Sequence, residues 1–277
     1  MMCSGVSAMK SLASNLNGLF AVVKPTGITS AGVVNQLKRI LTKEHKKQLQ
    51  EYSNHHTRSG KVGAPYKKLR IGHGGTLDSN ASGVLVIGVG LGTKLLASQL
   101  KGNKRYRAVG CLGTSTDTQD VLGKITQRSP ADHVTLNLIT SSLQRYVGNI
   151  MQIPPLYSAL KVGGVRMSDL AVRGEPIAPK PARPVTVHSL ECVQFSPPYF
   201  TLDIHCGGGF YVRQLIQDLG QDMGTNAHLA ELTRTQQGPF TLAKHALAED
   251  KWTLEHICEA VQEFTEIAEL ENLIKPP

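Results

Sequence analysis

The chain has 277 residues, 40% of them hydrophobic and 18% charged, with a formal net charge of +9; this is the composition of a soluble globular protein able to bury a substantial core. No apolar run approaches the roughly 20 residues that span a bilayer, and residues 1–16 lack the continuous apolar stretch of a signal peptide, so they read as a flexible leader. Five scattered cysteines without a CxxC pair argue for a reducing intracellular setting and against a structural zinc site of the usual spacing.

In chain order, GLFAVVKPTG predicts a short buried strand stopped by Pro25 and Gly27. Ser30 then stands where a cap belongs, ahead of a helix with Val33, Val34, Leu37, Ile40 and Leu41 on one face. From 42 to 70 the periodicity fades into Lys, His, Gly and Pro, which reads as a mobile basic insertion. VLVIGVG predicts a buried strand, followed by a helix from Thr93 to Gly102 and a strand over KRYRAVGCLG. A helix is expected over 135–147, then a proline-broken segment, a short helix and a proline-rich return up to about 183. YFTLDIHC alternates Phe200, Leu202, Ile204 and Cys206 against Asp203 and His205, the pattern of an antiparallel strand. Helices are expected from Tyr211 and after Thr253, the second with an acidic exterior. Hairpin-like strands interspersed with helices make this an α+β domain with a mainly antiparallel sheet.

The charge is concentrated. Residues 38–70 hold ten Lys or Arg against Glu44 and Glu51, a net of +8, whereas 247–277 hold eight acids against two lysines, a net of −6. A patch of that strength attracts a polyanion, nucleic acid above all; a solvated loop without a dedicated ligand is the other reading. GVGLGTK has neither dinucleotide nor P-loop spacing, and HExxH, GxSxG and EF-hand patterns are absent. The ten histidines do not fall at metal-ligand spacing. Asp78, in GHGGTLDSNASG, sits directly before the apolar run. It is either a turn residue accepting backbone N–H bonds or a carboxylate held by a rigid strand, with Gly72, Gly74 and Gly75 letting backbone pass close to a ligand. Such a carboxylate can act as nucleophile or base without a metal.

GHGGTLD with ASGVLVIGVGLGTK resembles the motif of the TruB family of tRNA pseudouridine synthases. LFAVVKPTGITS, KRYRAVGCLGTSTDT, QIPPLYSALKVGG, ARPVTV, IHCGGGFYVRQLIQDLG and LTRTQQGPF resemble further family segments in the family's order, over most of residues 17–250. The resemblance implies the pseudouridine synthase fold: a central, mainly antiparallel mixed sheet flanked by helices and by loops that form an RNA-binding cleft. It implies isomerisation of the uridine at tRNA position 55, without cofactor or metal. Asp78 would be the catalytic aspartate, Tyr106 the aromatic stacked on the uracil, Tyr211 a contact to the reacting base, Arg213 the partner of the aspartate and Leu232 an apolar wall. His73 would help to hold the displaced base. The residue types suit these roles, since extruding a base costs a few kcal/mol, stacking returns about 1–3 kcal/mol, and a buried carboxylate favours an arginine partner.

Three departures stand out. Ser79 follows Asp78 where the family commonly has proline, the basic insertion 42–70 is longer than the bacterial segment, and no C-terminal PUA-type domain is expected to follow. The expectation is therefore one synthase domain over 17–277, with an RNA-contacting segment at about 151–183 and added phosphate contacts from Lys46, Lys47, Lys67 and Lys68. The expected partners are tRNA and other RNAs with a similar stem-loop; neither a membrane nor an obligatory protein partner is expected, the protein is expected to be monomeric, and nucleus and cytoplasm are its expected locations. A guide-dependent synthase and a non-catalytic RNA-binding or RNA-folding protein on the same scaffold remain as alternatives.

Overall fold

The computed structural model describes residues 16–55, 69–178 and 180–274. The chain divides into two compact units, one of Met1–Ser79, Gly83–Leu100 and Phe240–Pro277, the other of Asn80–Ser82 and Lys101–Pro239.

The first unit is built around β1 (Gly18–Lys24) and β3 (Ser82–Val89), antiparallel neighbours. A short β2 (Ile71–His73) adds to the far end of β3, and Ala246–Leu247 pairs in parallel with β1. The run VLVIGVG is almost wholly buried because both faces of β3 are covered, so it reads as continuous rather than alternating. On one face Phe20, Val22, Leu85 and Ile87 pack with Val33, Leu37 and Leu41 of α1 (Ser30–His55) and with Trp252 and Ile257. On the other, Leu19, Ala21, Val84 and Val86 pack with Phe240 and with Leu96 of α2 (Leu96–Lys101). Ile257 lies on the helix Leu254–Ile274, on which Leu254 and Val261 are buried as well.

Two local expectations change. The helix that the apolar spacing carries to Leu41 continues to His55, so 42–55 is helical and not loop. Helix propensity explains it: Lys, Glu, Gln and Leu dominate TKEHKKQLQEY, and such residues favour a helix without an apolar stripe. The predicted helix from Thr93 is a 3-10 segment over Gly90–Leu95 that passes into α2.

In the second unit β4 (Lys104–Leu112) is paired on both sides in an antiparallel sheet. The helix α3 (Leu136–Leu143) follows, capped by Thr135, whose hydroxyl accepts from the Leu138 amide. Then come β5 (Gly148–Gln152), β6 (Arg183–Ser196) and β7 (Tyr199–Cys206), α4 (Val212–Asp222) and β8 (Ala227–Gln237). Pairing runs β8–β4–β7–β6–β5. Phe200, Leu202, Ile204 and Cys206 point inward as their alternation requires, and Leu215, Ile216 and Leu219 of α4 are fully covered. The mainly antiparallel α+β architecture of the sequence reading holds.

Gly110 of β4 lies opposite Phe200 of β7 in register, and a Cβ there would meet the buried ring. Gly110→Ala should therefore lower the unfolding free energy by about 1–3 kcal/mol through overpacking, seen as a lower denaturant midpoint at unchanged slope.

Candidate active site

Asp78 is half-buried in the loop joining β2 to β3. The peptides on either side of it are tied to the segment that follows β1. The Ser30 hydroxyl, 2% exposed, accepts from the Leu77 amide (2.9 Å) and donates to the Leu77 carbonyl (3.0 Å). The Gly27 amide donates to the Ser79 carbonyl at 2.8 Å, and the fully buried Lys24 ammonium donates to that same oxygen at 3.2 Å and to Pro25 O at 2.8 Å. The cap of α1 is accordingly Thr29, whose Oγ1 accepts from the Gly32 amide. Ser30, expected to cap, is one residue inside and has its hydroxyl engaged by the Asp78 loop.

Two of the glycines before Asp78 lie close to α2. A Cβ on Gly74 would stand 2.8 Å from Gln99 Cβ and one on Gly72 would stand 3.2 Å from Leu96, so these glycines let the loop pack on α2. The Gly74 amide continues the pairing by donating to Val86 O. His73 is the last residue of β2, half-buried and opposite Ile87.

Tyr106, Tyr211, Arg213 and Leu232 belong to the second unit. Tyr106 lies on β4 opposite Arg234 of β8, and Leu232 lies opposite Ala108, so Tyr106 and Leu232 are diagonal neighbours on the covered face of the sheet. They are 8% and 9% exposed. Two buried cations share this region. Arg234 is 1% exposed, and burial, reinforced by Arg234, lowers the Lys104 ammonium to about 8.

Tyr211 caps α4 by its backbone. Its amide donates to Gln152 Oε1 (2.8 Å) and its carbonyl accepts from Gln152 Nε2 (3.0 Å), while the Arg183 guanidinium lies 5.3 Å over its ring. Gln152 is buried and Arg183 heads β6 in register with it, so β5 and β6 together set the tyrosine. A charge at Arg213, in the first helical turn, faces the positive end of the helix dipole. It is nevertheless 5% exposed, with Nη1 donating to Thr118 O (2.9 Å) and Nη2 to Tyr157 O (2.8 Å).

Sequence reasoning missed Lys24, Gln152, Thr118 and Tyr157 and gave Ser30 a different role, because a residue that acts through a distant backbone carries no local pattern. It also missed the hairpin Lys161–Val162 to Val165–Arg166 inside 151–183, although Gly163-Gly164 between valines is a two-residue turn signal. Lys46 and Lys47 are exposed on α1; Lys67 and Lys68 lie outside the described residues. Among the described residues no three His, Cys, Asp or Glu side chains are grouped to hold a metal.

Ser30→Ala should leave the amide and carbonyl of Leu77 buried without that partner, a loss of about 1–3 kcal/mol, measured by chemical unfolding. Ser30→Thr, which keeps the hydroxyl, should lose less.

Residues 64–212 match the family model for the N-terminal domain of TruB family pseudouridylate synthases, and residues 213–277 match that for the C-terminal domain of tRNA pseudouridylate synthase B. Human pseudouridylate synthase TRUB1 is 49% identical over 261 residues, 94% of this chain and 72% of its own length. The tRNA pseudouridine synthase B of Syntrophotalea carbinolica is 36% identical over 225 residues, 81% of this chain and 65% of its own. A chain in the crystal structure of a Cbf5-Nop10-Gar1 complex shares the fold, with a TM-score of 0.59 at 24% identity, over 92% of this chain and 61% of that one. The motifs around Asp78, the strands that carry them and these relatives agree: the chain belongs to the TruB family of pseudouridylate synthases.

Proposed function

We propose that this protein is a tRNA pseudouridine synthase that acts without a guide RNA on a uridine of the T-arm loop, at tRNA position 55. The observation that carries the reading is the 49% identity to a named pseudouridylate synthase across 94% of the chain. The bacterial relatives named for action on tRNA support the substrate class. The reaction is an isomerisation: the bond from ribose C1′ to uracil N1 breaks, the base turns, C1′ joins C5, and the C5 hydrogen leaves as N1 gains one.

In this reading Asp78 attacks the flipped nucleotide, and the paired restraints on Leu77 and Ser79 keep its carboxylate from wandering during attack. Tyr106 stacks on the extruded uracil, which offsets part of the few kcal/mol spent on unstacking. Tyr211 contacts the reacting base, Leu232 closes the apolar side, Arg213 pairs with Asp78, and His73 helps to hold the displaced base. Lys46 and Lys47 meet phosphates. Their exposure on a helix supports this, since an exposed ammonium on a regular element presents its charge at fixed spacing.

Two measurements test it. Wild-type protein alone should release tritium from tRNA labelled at uracil C5, and Asp78→Asn should release none; release only with an added guide RNA, or binding without release, would point to the guide-dependent or non-catalytic alternatives. Reversing Lys46 and Lys47 to Glu should weaken tRNA binding and reduce the slope of log affinity against log salt by about one for each lysine. An unchanged slope would remove these two from the interface.

A further inference from the structure

Gln119 is the one described non-glycine residue with a left-handed backbone, at φ 64°. A Cβ-bearing residue without Asn or Asp chemistry is held there against its own preference. Its amide side chain ends a directed chain of hydrogen bonds. The Asp218 carboxylate, which as an anion only accepts, takes Gln214 Nε2 at 2.7 Å. That contact turns Gln214 Oε1 toward Gln119, whose Nε2 donates to it at 2.7 Å. The orientation of both amides follows from the carboxylate at the origin. The consequence is a second unfavourable feature at the same residue: Gln119 Oε1 is left buried with no hydrogen-bond partner.

A residue disfavoured in both backbone and side chain persists where its surroundings impose it. The main chain shows what is imposed. The Gln119 carbonyl accepts from the Leu229 amide (3.0 Å), the Val121 amide donates to Leu229 O (3.0 Å), and the Gln119 amide donates to Thr116 O (3.1 Å). The peptide just before Gln119 presents Thr118 O to Arg213 Nη1. Gln214 follows Arg213 directly on α4 and stands one turn before Asp218. The 118–119 turn and the first turn of α4 are thus joined twice, once through the guanidinium and once through the paired amides.

We propose that Gln119 is a positioning residue: through Gln214 and Asp218 it locks the turn that offers Thr118 O, and so fixes where the Arg213 guanidinium points. The role rests on the reading of Arg213 as a site residue. Removing the side chain keeps the arginine itself but frees its carbonyl partner, and the guanidinium with it, to shift. Misplacement of a group by about 1 Å can cost on the order of 100-fold in rate, so a partial loss of restraint should cost about tenfold.

The test is steady-state tritium release by the full chain with Gln119→Gly, Gln214→Ala and the double variant, beside thermal unfolding of each. Gln119→Gly removes the amide and suits the left-handed backbone, so it should melt no lower than wild type while kcat falls about tenfold and KM for tRNA stays within about twofold. Gln214→Ala should show the same loss, and the double variant no more than either alone, because both break one link. Full kcat in Gln119→Gly with an intact melting point overturns the positioning role while leaving the proposed function standing. So does a rise in KM alone, or losses that multiply in the double variant. Absence of release from wild type overturns the function and the positioning role together.

Discussion

The peptide groups beside Asp78 are held by side chains that are distant in sequence and shielded from water, and the rest of the molecule follows from that constraint. Ser30 stands 47 positions before Leu77 and Lys24 stands 55 before Ser79. Those partners reach the loop because β1 and β3 are antiparallel neighbours, with Lys24 opposite Gly83 at the start of β3. A buried backbone polar group without a partner is costly, so the loop has one well-satisfied conformation and many poor ones. The sheet therefore does more than fill space. Its pairing register brings the lysine and the serine to the same end of the strand pair as the aspartate.

The same device recurs in the second unit. Gln152 satisfies both backbone groups of Tyr211, and Arg213 spans the carbonyls of Thr118 and Tyr157. In each case a long or polar side chain from one element fixes main chain of another. Packing density alone cannot do this, because apolar contacts are non-directional whereas hydrogen bonds to a peptide group fix both position and orientation. The region around Tyr106 adds an electrostatic feature: Lys104 and Arg234 are both buried, and burial holds the lysine near 8 while pushing the Cys206 thiol up to about 12.

Much of the fold was legible from the residues. VLVIGVG, the alternation of YFTLDIHC and the spacing in VRQLIQDLG each specify an element, since burial on one face or two leaves a period in the chain. The helical run beyond Leu41 was not, because it rests on propensity and leaves no apolar period in the chain. The hairpin at Lys161–Arg166 was hidden by its two-residue strands. Of the candidate site, Asp78 is found on a loop, His73 at a strand end and Tyr211 and Arg213 at a helix start, the places where function is usually carried, while Tyr106 and Leu232 lie within strands. The residues that hold them were invisible, since Ser30 looks like a cap and Gln152 like any polar strand residue until their partners are known.

The 26 residues of α1 make a rod of roughly 39 Å at 1.5 Å per residue. In the proposed binding of RNA, ammonium groups mounted on such a rod would arrive with their backbone already ordered. A floppy segment of equal charge would first have to surrender about 1–2 kcal/mol of backbone freedom for every residue it immobilised. If the proposed contact is made, continuing the helix past its apolar stripe shifts that entropic penalty from the moment of encounter to the moment of folding.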